Sequence, residues 1–376
     1  MVELTCDLVA RVKTIADPRR QCQNLKHRLE DIIVLGFCGV LAGCDDFVEI
    51  ADWARHNEAF LRTFLELPHG IPSHDTFNRV FSTLKPAALQ EVLIPWLLQR
   101  RGLPGDWIHI DGKVMKHTRC TAKGLGALHV VSAWAGQAGL TLGQVAVDAK
   151  SNEITAIPQL LELLDLRQKI VTLDALGCQK EIATAIVAGE GDYILAVKGN
   201  QPTLHEEMQQ AFATSTINFA TPTREYRTEE TGHGRHEQRL VRVLSAKGKL
   251  SGSGQWLGLV TLVMVMRTVT CLATGVVSTE FSYFISSLRP NARRIGQAIR
   301  GHWGIENGLH WVLDVVFRED ARQLYERTAA ENVAFCNRLA LSLLRGDTSK
   351  GSLKVKRKRA GWNIQYLAQL LGFPTT

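Results

Sequence analysis

Trp107-Ile-His-Ile-Asp111, Leu128–Trp134 and Leu140–Val147 are three runs rich in apolar, aromatic and β-branched residues, separated by short glycine-containing links. Such runs favour the pleated, half-buried surface of a strand. The last link, Gly136-Gln-Ala-Gly139, is a hairpin signal. Downstream the period changes. A helical run at 153–164 leads into a buried strand at 169–173, a helix at 179–188, a strand at 193–197 and a helix at 201–212. The order is β-β-β-α-β-α-β-α.

Three hairpin-linked strands followed by β/α alternation is the order of the ribonuclease-H-like fold, an α/β class. The sequence therefore predicts such a core over residues 105–345, with a β-rich insertion at about 215–280 in which 239–244 and 256–269 read as strands. The last strand is 280–286, and helices run from 292 to 345. Residues 1–104 read as an all-α N-terminal domain. Leu29, Ile32, Ile33, Leu35, Phe37, Val40 and Leu41 make one buried helix, and Ile50, Trp53, Ala54, Phe60, Leu61, Phe64 and Leu65 recur at three and four. Ser73 is an N-cap candidate for a helix carrying Thr76, Phe77, Val80 and Phe81. Helix, turn and helix resembles a DNA-binding helix-turn-helix, although plain helical packing gives the same pattern.

The chain has 376 residues, enough for two or three domains, and 45% apolar against 22% charged residues excludes wholesale disorder. Its net charge of +7 is placed almost wholly at the C-terminus, where Arg345, Lys350, Lys354, Lys356, Arg357, Lys358 and Arg359 face only Asp347. Residues 346–376 thus read as a basic tail, either a solvated run or a contact for a phosphate backbone. Trp362, Ile364, Tyr366, Leu367, Leu370 and Leu371 predict a short docked helix within it. The longest apolar run, 32–44, contains three glycines and falls short of a membrane span. The first residues carry Glu3 and Asp7 where a signal peptide would be basic. Eight cysteines without a CxxC pair read as reduced thiols, and the expected location is cytoplasmic.

Three acids sit at informative places. Asp111 ends the first strand, Asp174 the fourth, and Glu306 lies early in the helices after the insertion. Neighbouring first and fourth strands would bring the two aspartates together, and a helix across that edge can add the third. Two divalent ions that clamp the attacking and leaving oxygens of a phosphoryl displacement need such shared carboxylates. Each acid also has an ordinary reading: Asp174 as an N-cap, Asp111 as a turn residue, Glu306 as a solvated helix residue with Asp314, Glu319 and Asp320 as rivals. His302, Glu306 and His310 recur at i, i+4, i+8 and could hold a transition metal, with Gly304 weakening that helix. His205-Glu-Glu-Met-Gln lacks the second histidine of a zincin, and no phosphate-binding GxxxxGK[ST] is present.

Taken in order, Gly70-Ile-Pro-Ser-His-Asp-Thr-Phe-Asn-Arg-Val-Phe, Asp111-Gly-Lys, Lys150-Ser-Asn-Glu-Ile, Thr172-Leu-Asp-Ala-Leu-Gly-Cys-Gln, Lys198-Gly-Asn-Gln, His233-Gly-Arg, the run His302–Asp320 and Ala360-Gly-Trp carry a resemblance. The chain resembles the bacterial insertion-sequence transposases of the DDE class, in the H-repeat-associated group. The resemblance implies that Asp111, Asp174 and Glu306 are the catalytic, metal-binding triad, served by two Mg²⁺ ions for which Mn²⁺ substitutes. It implies double-stranded DNA as partner (element ends and target), strand cleavage followed by strand transfer, and a homodimer on DNA. In the wider class a Tyr, an Arg and a Lys flank the Glu; here Ile299, His302 and Leu313 hold those positions. Candidate phosphate contacts are Lys113, Lys116, Lys198, Arg300, His302, Asn307, Lys356, Arg357, Lys358 and Arg359. Trp256 and Trp303 read as base-stacking or core residues. A catalytically silent remnant that only binds DNA is the alternative reading, and a nuclease without strand transfer is a third.

Overall fold

The computed structural model describes residues 7–20, 25–102, 105–119, 124, 126–147, 153–215 and 224–373. Position 104, Lys150-Ser-Asn152, Cys6, Cys22 and Cys120 lie outside them. The chain begins with helices α1 (Asp7–Val12), α2 (Leu29–Ala42), α3 (Phe47–His56), α4 (Glu58–Leu61), α5 (His74–Thr83) and α6 (Pro86–Arg101). Their starts are written locally. Asp46 accepts the Glu49 N–H at 2.8 Å, Ser73 accepts the Thr76 N–H, and Pro86 opens α6, where its missing N–H costs nothing. Helix α2 is buried on nearly every side, which its almost wholly apolar sequence allows.

The strands β1 (Trp107–Met115), β2 (Leu128–Ala135), β3 (Leu140–Val147), β4 (Ile170–Leu173) and β5 (Asp192–Val197) alternate after β3 with α7 (Glu153–Glu162), α8 (Lys180–Ala188) and α9 (Pro202–Ala213). Strands β1, β2 and β3 are antiparallel neighbours, and β1, β4 and β5 are parallel, with Ile110 opposite Leu173. The first and fourth strands are therefore adjacent, as the strand order requires. Asp111 does not end its strand: β1 continues to Met115, and Asp111 pairs with Ser132 inside the ladder.

Residues 225–286 form β6 (Glu225–Gly232), β7 (Arg235–Ser245), β8 (Thr261–Cys271) and β9 (Val277–Ser286). They extend the same sheet, giving nine strands in the order β3-β2-β1-β4-β5-β9-β8-β7-β6. Trp256 lies outside the strands and is buried, consistent with packing and not with stacking on a base. Helix α10 (Ala292–His302) covers one face of the sheet, where Ile295, Ala298 and Ile299 pack on Ile170, Ile194, Val241 and Val263. The other face, with α7, α8 and the helical elements, belongs to one continuous core. A short α11 (Trp311–Val315) leads to α12 (Arg327–Gly346), α13 (Leu353–Trp362) and α14 (Ile364–Leu371).

The basic tail is not a solvated run. Helix α12 packs on α5 and α6, and α13 and α14 on α2, so both ends of the chain build the helical half. Arg357 is buried, donates to the carbonyls of Val40, Cys44 and Val316, and lies over the Phe317 ring. Lys356 is also buried, with Nζ 3.5 Å from the Asp347 carboxylate. Both are taken up by partners within the fold. Helical spacing turned these two cations inward while Lys354 and Lys358 stayed exposed. Arg359 donates to Ser349 and the Lys350 carbonyl at 2.8 Å.

Candidate active site

Asp111 sits mid-strand in β1 and accepts the Gly112 N–H at 2.9 Å. Asp174 follows β4 immediately and accepts the N–H groups of Leu176 at 3.0 Å and Gly177 at 3.3 Å. It is not an N-cap, because α8 begins only at Lys180 with Gln179 at its cap. Glu306 opens a π-helical turn, Glu306–His310, in which the Trp311 N–H bonds back to the Glu306 carbonyl. Such one-turn insertions concentrate at functional sites. The turn carries His310 to 3.7 Å from Asp111 Oδ2 and 3.6 Å from Glu306 Oε2. The donor atoms of Asp111, Glu306 and His310 all lie within 4.8 Å of one another.

Burial raises the Asp111 carboxyl to about 7; the Gly112 N–H opposes the rise, and Asp174, Glu306 and Glu153 add to it. Asp174 is raised by burial and by Glu153, against the N–H groups of Gly177 and Leu176 and the charge of Lys198. Lys198 is exposed just beyond β5. Carboxyls raised by burial beside other carboxylates mark a place suited to cations.

Glu153, at the start of α7, is a fourth acid that the sequence reading did not single out. It accepts from His129 Nε2 at 2.8 Å, and that bond raises the imidazole above its ordinary value. A Cβ on residue 112 would sit 2.4 Å from Glu153 Oε1 and 2.6 Å from His129 Nε2. Glycine after Asp111 is what lets this pair lie against the strand.

His302 does not join the carboxylates. Its Nδ1 meets the Thr172 hydroxyl at 2.9 Å, and the same hydroxyl meets His109 Nδ1 at 2.7 Å. Burial lowers His109 to about 3, with His302 adding to the effect, and lowers His302 to about 4. The chain His109–Thr172–His302 thus pins α10 to β1 and β4, and the transition-metal trio at i, i+4, i+8 is not assembled.

Lys113 is also placed otherwise than as a phosphate contact. Its buried Nζ lies 2.7 Å from Asp314, 3.0 Å from Asp320 and 3.8 Å from Glu319. Glu319 is held in turn by the fully buried Arg338 at 2.9 Å. The three acids that rivalled Glu306 are therefore spent on Lys113 and Arg338, and the Glu306 side chain is left 64% exposed. Lys116 is exposed, 3.2 Å from Asp320, and Asn307 is exposed. Arg300 reaches Glu230 of β6 at 3.0 Å. It borders a groove of about 1240 Å³ between α10 and the face of β6–β9, where Arg235, Arg239, Arg267 and the exposed Trp303 lead to Glu306. No described helix is long and apolar enough to cross a membrane.

The family model described as “Transposase DDE domain” matches residues 104–343, and a companion model for a segment associated with that domain matches 9–97. “Putative transposase YncI” of Escherichia coli O157:H7 is 38% identical over 372 residues, covering 97% of this chain and 94% of that protein. “H repeat-associated putative transposase YhhI” of Escherichia coli K12 is 37% identical over 370 residues, covering 97% of each. A solved piggyBac transposase synaptic complex with hairpin DNA aligns with a TM-score of 0.42 at 11% identity, over 100% of this chain and 81% of that one. The chain belongs to the DDE transposase family. Within it, the nearly full-length match to an H-repeat-associated protein puts the chain in that group.

Proposed function

We propose that this protein cuts the ends of an insertion element and joins them to target DNA, with Asp111, Asp174 and Glu306 as the catalytic carboxylates. Residues 105–345 then form a ribonuclease-H-like catalytic domain, the helical half assists DNA binding, and two copies act together on a pair of DNA ends. The observation that carries this reading is the approach of Asp111 and Asp174 from adjacent parallel strands, with Glu306 brought near Asp111 by the π turn.

The donor set fits divalent cations: Asp111 and Glu306 offer oxygens within 4.8 Å of each other, Asp174 follows the strand beside Asp111, and burial makes both aspartates weaker acids than usual. Mg²⁺ takes oxygen ligands and keeps several waters, so few protein ligands suffice, and Mn²⁺ suits the same set. Bound there, such ions would activate a water or a 3′-hydroxyl and neutralise charge on the phosphoryl group. Asp111, the acid that interacts with both others, would be among the residues that hold them. Lys198 would hold a phosphate beside Asp174, and Arg300 and Trp303 would guide a strand along the groove.

The test is a cleavage and strand-transfer assay on DNA carrying the element's ends, with Mg²⁺ or Mn²⁺. Asp111→Asn, Asp174→Asn and Glu306→Gln are each expected to lower cleavage by about a hundredfold or more while end binding survives. Wild-type protein that binds the ends and never nicks them with either ion would instead identify a silent DNA-binding remnant.

A further inference from the structure

We propose that His310 Nδ1 is a metal ligand alongside Asp111 and Glu306, making one of the two cation positions a mixed nitrogen–oxygen site that favours manganese-class ions over magnesium. The inference rests on the catalytic reading of Asp111 and Glu306 and adds a ligand to it.

The first argument is spacing. Nδ1 stands 3.7 Å from Asp111 Oδ2 and 3.6 Å from Glu306 Oε2. A hydrogen bond between a ring nitrogen and a carboxylate closes to about 2.8 Å, so neither contact is one. Two donors sharing one ion through bonds of about 2.1 Å are held about 3.0–3.5 Å apart, depending on the angle between them. The two sides of the triangle that meet at Nδ1 are slightly wider than that, and the third lies within 4.8 Å.

The second argument is the state of the imidazole. His310 is 6% exposed, and its ring makes no hydrogen bond among the described residues: Nε2 is buried without a partner, and Nδ1 faces only the carboxylates of Asp111 and Glu306. An Nδ1 that no hydrogen bond engages is available to an ion held between it and the two carboxylates. A histidine that only paired with an acid would close onto it at hydrogen-bond distance. This one stands off from both.

The third argument is the backbone. The π turn begins at Glu306 and ends at His310, so its one extra residue falls between the two donors. Imidazole is a better ligand for first-row transition ions, Mn²⁺ being the weakest binder among them, than for Mg²⁺, which prefers all-oxygen surroundings.

The experiment uses the full-length protein without DNA, loaded with Mn²⁺ and studied by pulsed electron paramagnetic resonance. Expected is nitrogen coupling from a directly bound imidazole, shifted when histidine is labelled with ¹⁵N. In His310→Gln the coupling disappears and Mn²⁺ affinity falls at least about tenfold, while Mg²⁺ affinity, read by competition, changes less. Bound Mn²⁺ without nitrogen coupling in the wild type, or coupling that persists in His310→Gln, overturns the proposal. Mn²⁺ binding that is indifferent to both Asp111→Asn and Glu306→Gln overturns the catalytic reading beneath it. Nitrogen coupling is read on the wild type, so the test survives a variant that folds poorly.

Discussion

Thr172 carries one hydroxyl proton and serves two imidazoles, so it donates to one Nδ1 and accepts from the other. His109 and His302 must therefore adopt complementary tautomers. Thr172→Val keeps the shape and strands two buried nitrogens, with an expected loss of about 1–3 kcal/mol in denaturant unfolding. Because the hydroxyl also ties α10 to β4, strand cleavage should fall by more than end binding does. Gly112→Ala should displace the Glu153–His129 pair and cost about 1–3 kcal/mol, measured the same way. At this scale the sequence was legible for Asp111 and Asp174, because strand order alone makes their strands neighbours. It was silent on Glu153, which owes its place to tertiary packing against Gly112. The approach of His310 to Asp111 depends on a π turn that no spacing announces. Lys113 was misread for the same kind of reason: the acids that enclose it come from residues two hundred positions away.

Among the elements, α13 shows best how pattern and packing diverge. Counting charges makes α13 part of a tail, whereas burial puts it in the core; α14 is the short docked helix that its apolar residues predict. Gly361 of α13 lies so close to α2 that a Cβ there would sit 2.2 Å from the Ala42 carbonyl oxygen. Gly361→Ala should therefore lower the thermal midpoint, by the equivalent of about 1–3 kcal/mol. Asp347 fastens the start of this region to its end, accepting from Tyr366 Oη at 2.6 Å and also from Ser349. Burial alone would raise its carboxyl, but those hydrogen bonds and Lys356 outweigh it and bring it down to about 2. A depressed carboxyl stabilises the fold above its unfolded value near 4 and loses that contribution as pH falls towards 2. Asp347→Asn is expected to cost about 1–2 kcal/mol at pH 7, with the difference from wild type shrinking between pH 4 and pH 2 in urea titrations. The strand β6 was missed for the opposite reason. Its residues are mostly polar and exposed, as an edge strand allows, so no alternation marks it.

At the scale of the whole molecule, the insertion and the core share one ladder. Strand β9 pairs with β5 along Ile194–Val197, so residues 225–286 are not a detachable module. The fold class was legible because β/α alternation is local, whereas joining the insertion to the sheet is a long-range event. Ending the chain after Gly346 should expose the face of α2 that α13 covers. The expected result is aggregation or a steep loss of thermal stability, seen by light scattering and calorimetry, in place of a stable protein with a merely weaker salt dependence on DNA.

Phe373 stacks on Phe64 at 3.9 Å, and Arg100 donates to the carbonyls of Gln369 and Leu370. Helices that precede the sheet are thus completed by helices that follow it. During translation the strands can pair as they emerge, but α2 waits for α13 and α14 to be made. A message cut short before α13 yields a polypeptide with every site carboxylate present and no closed helical half to accompany them.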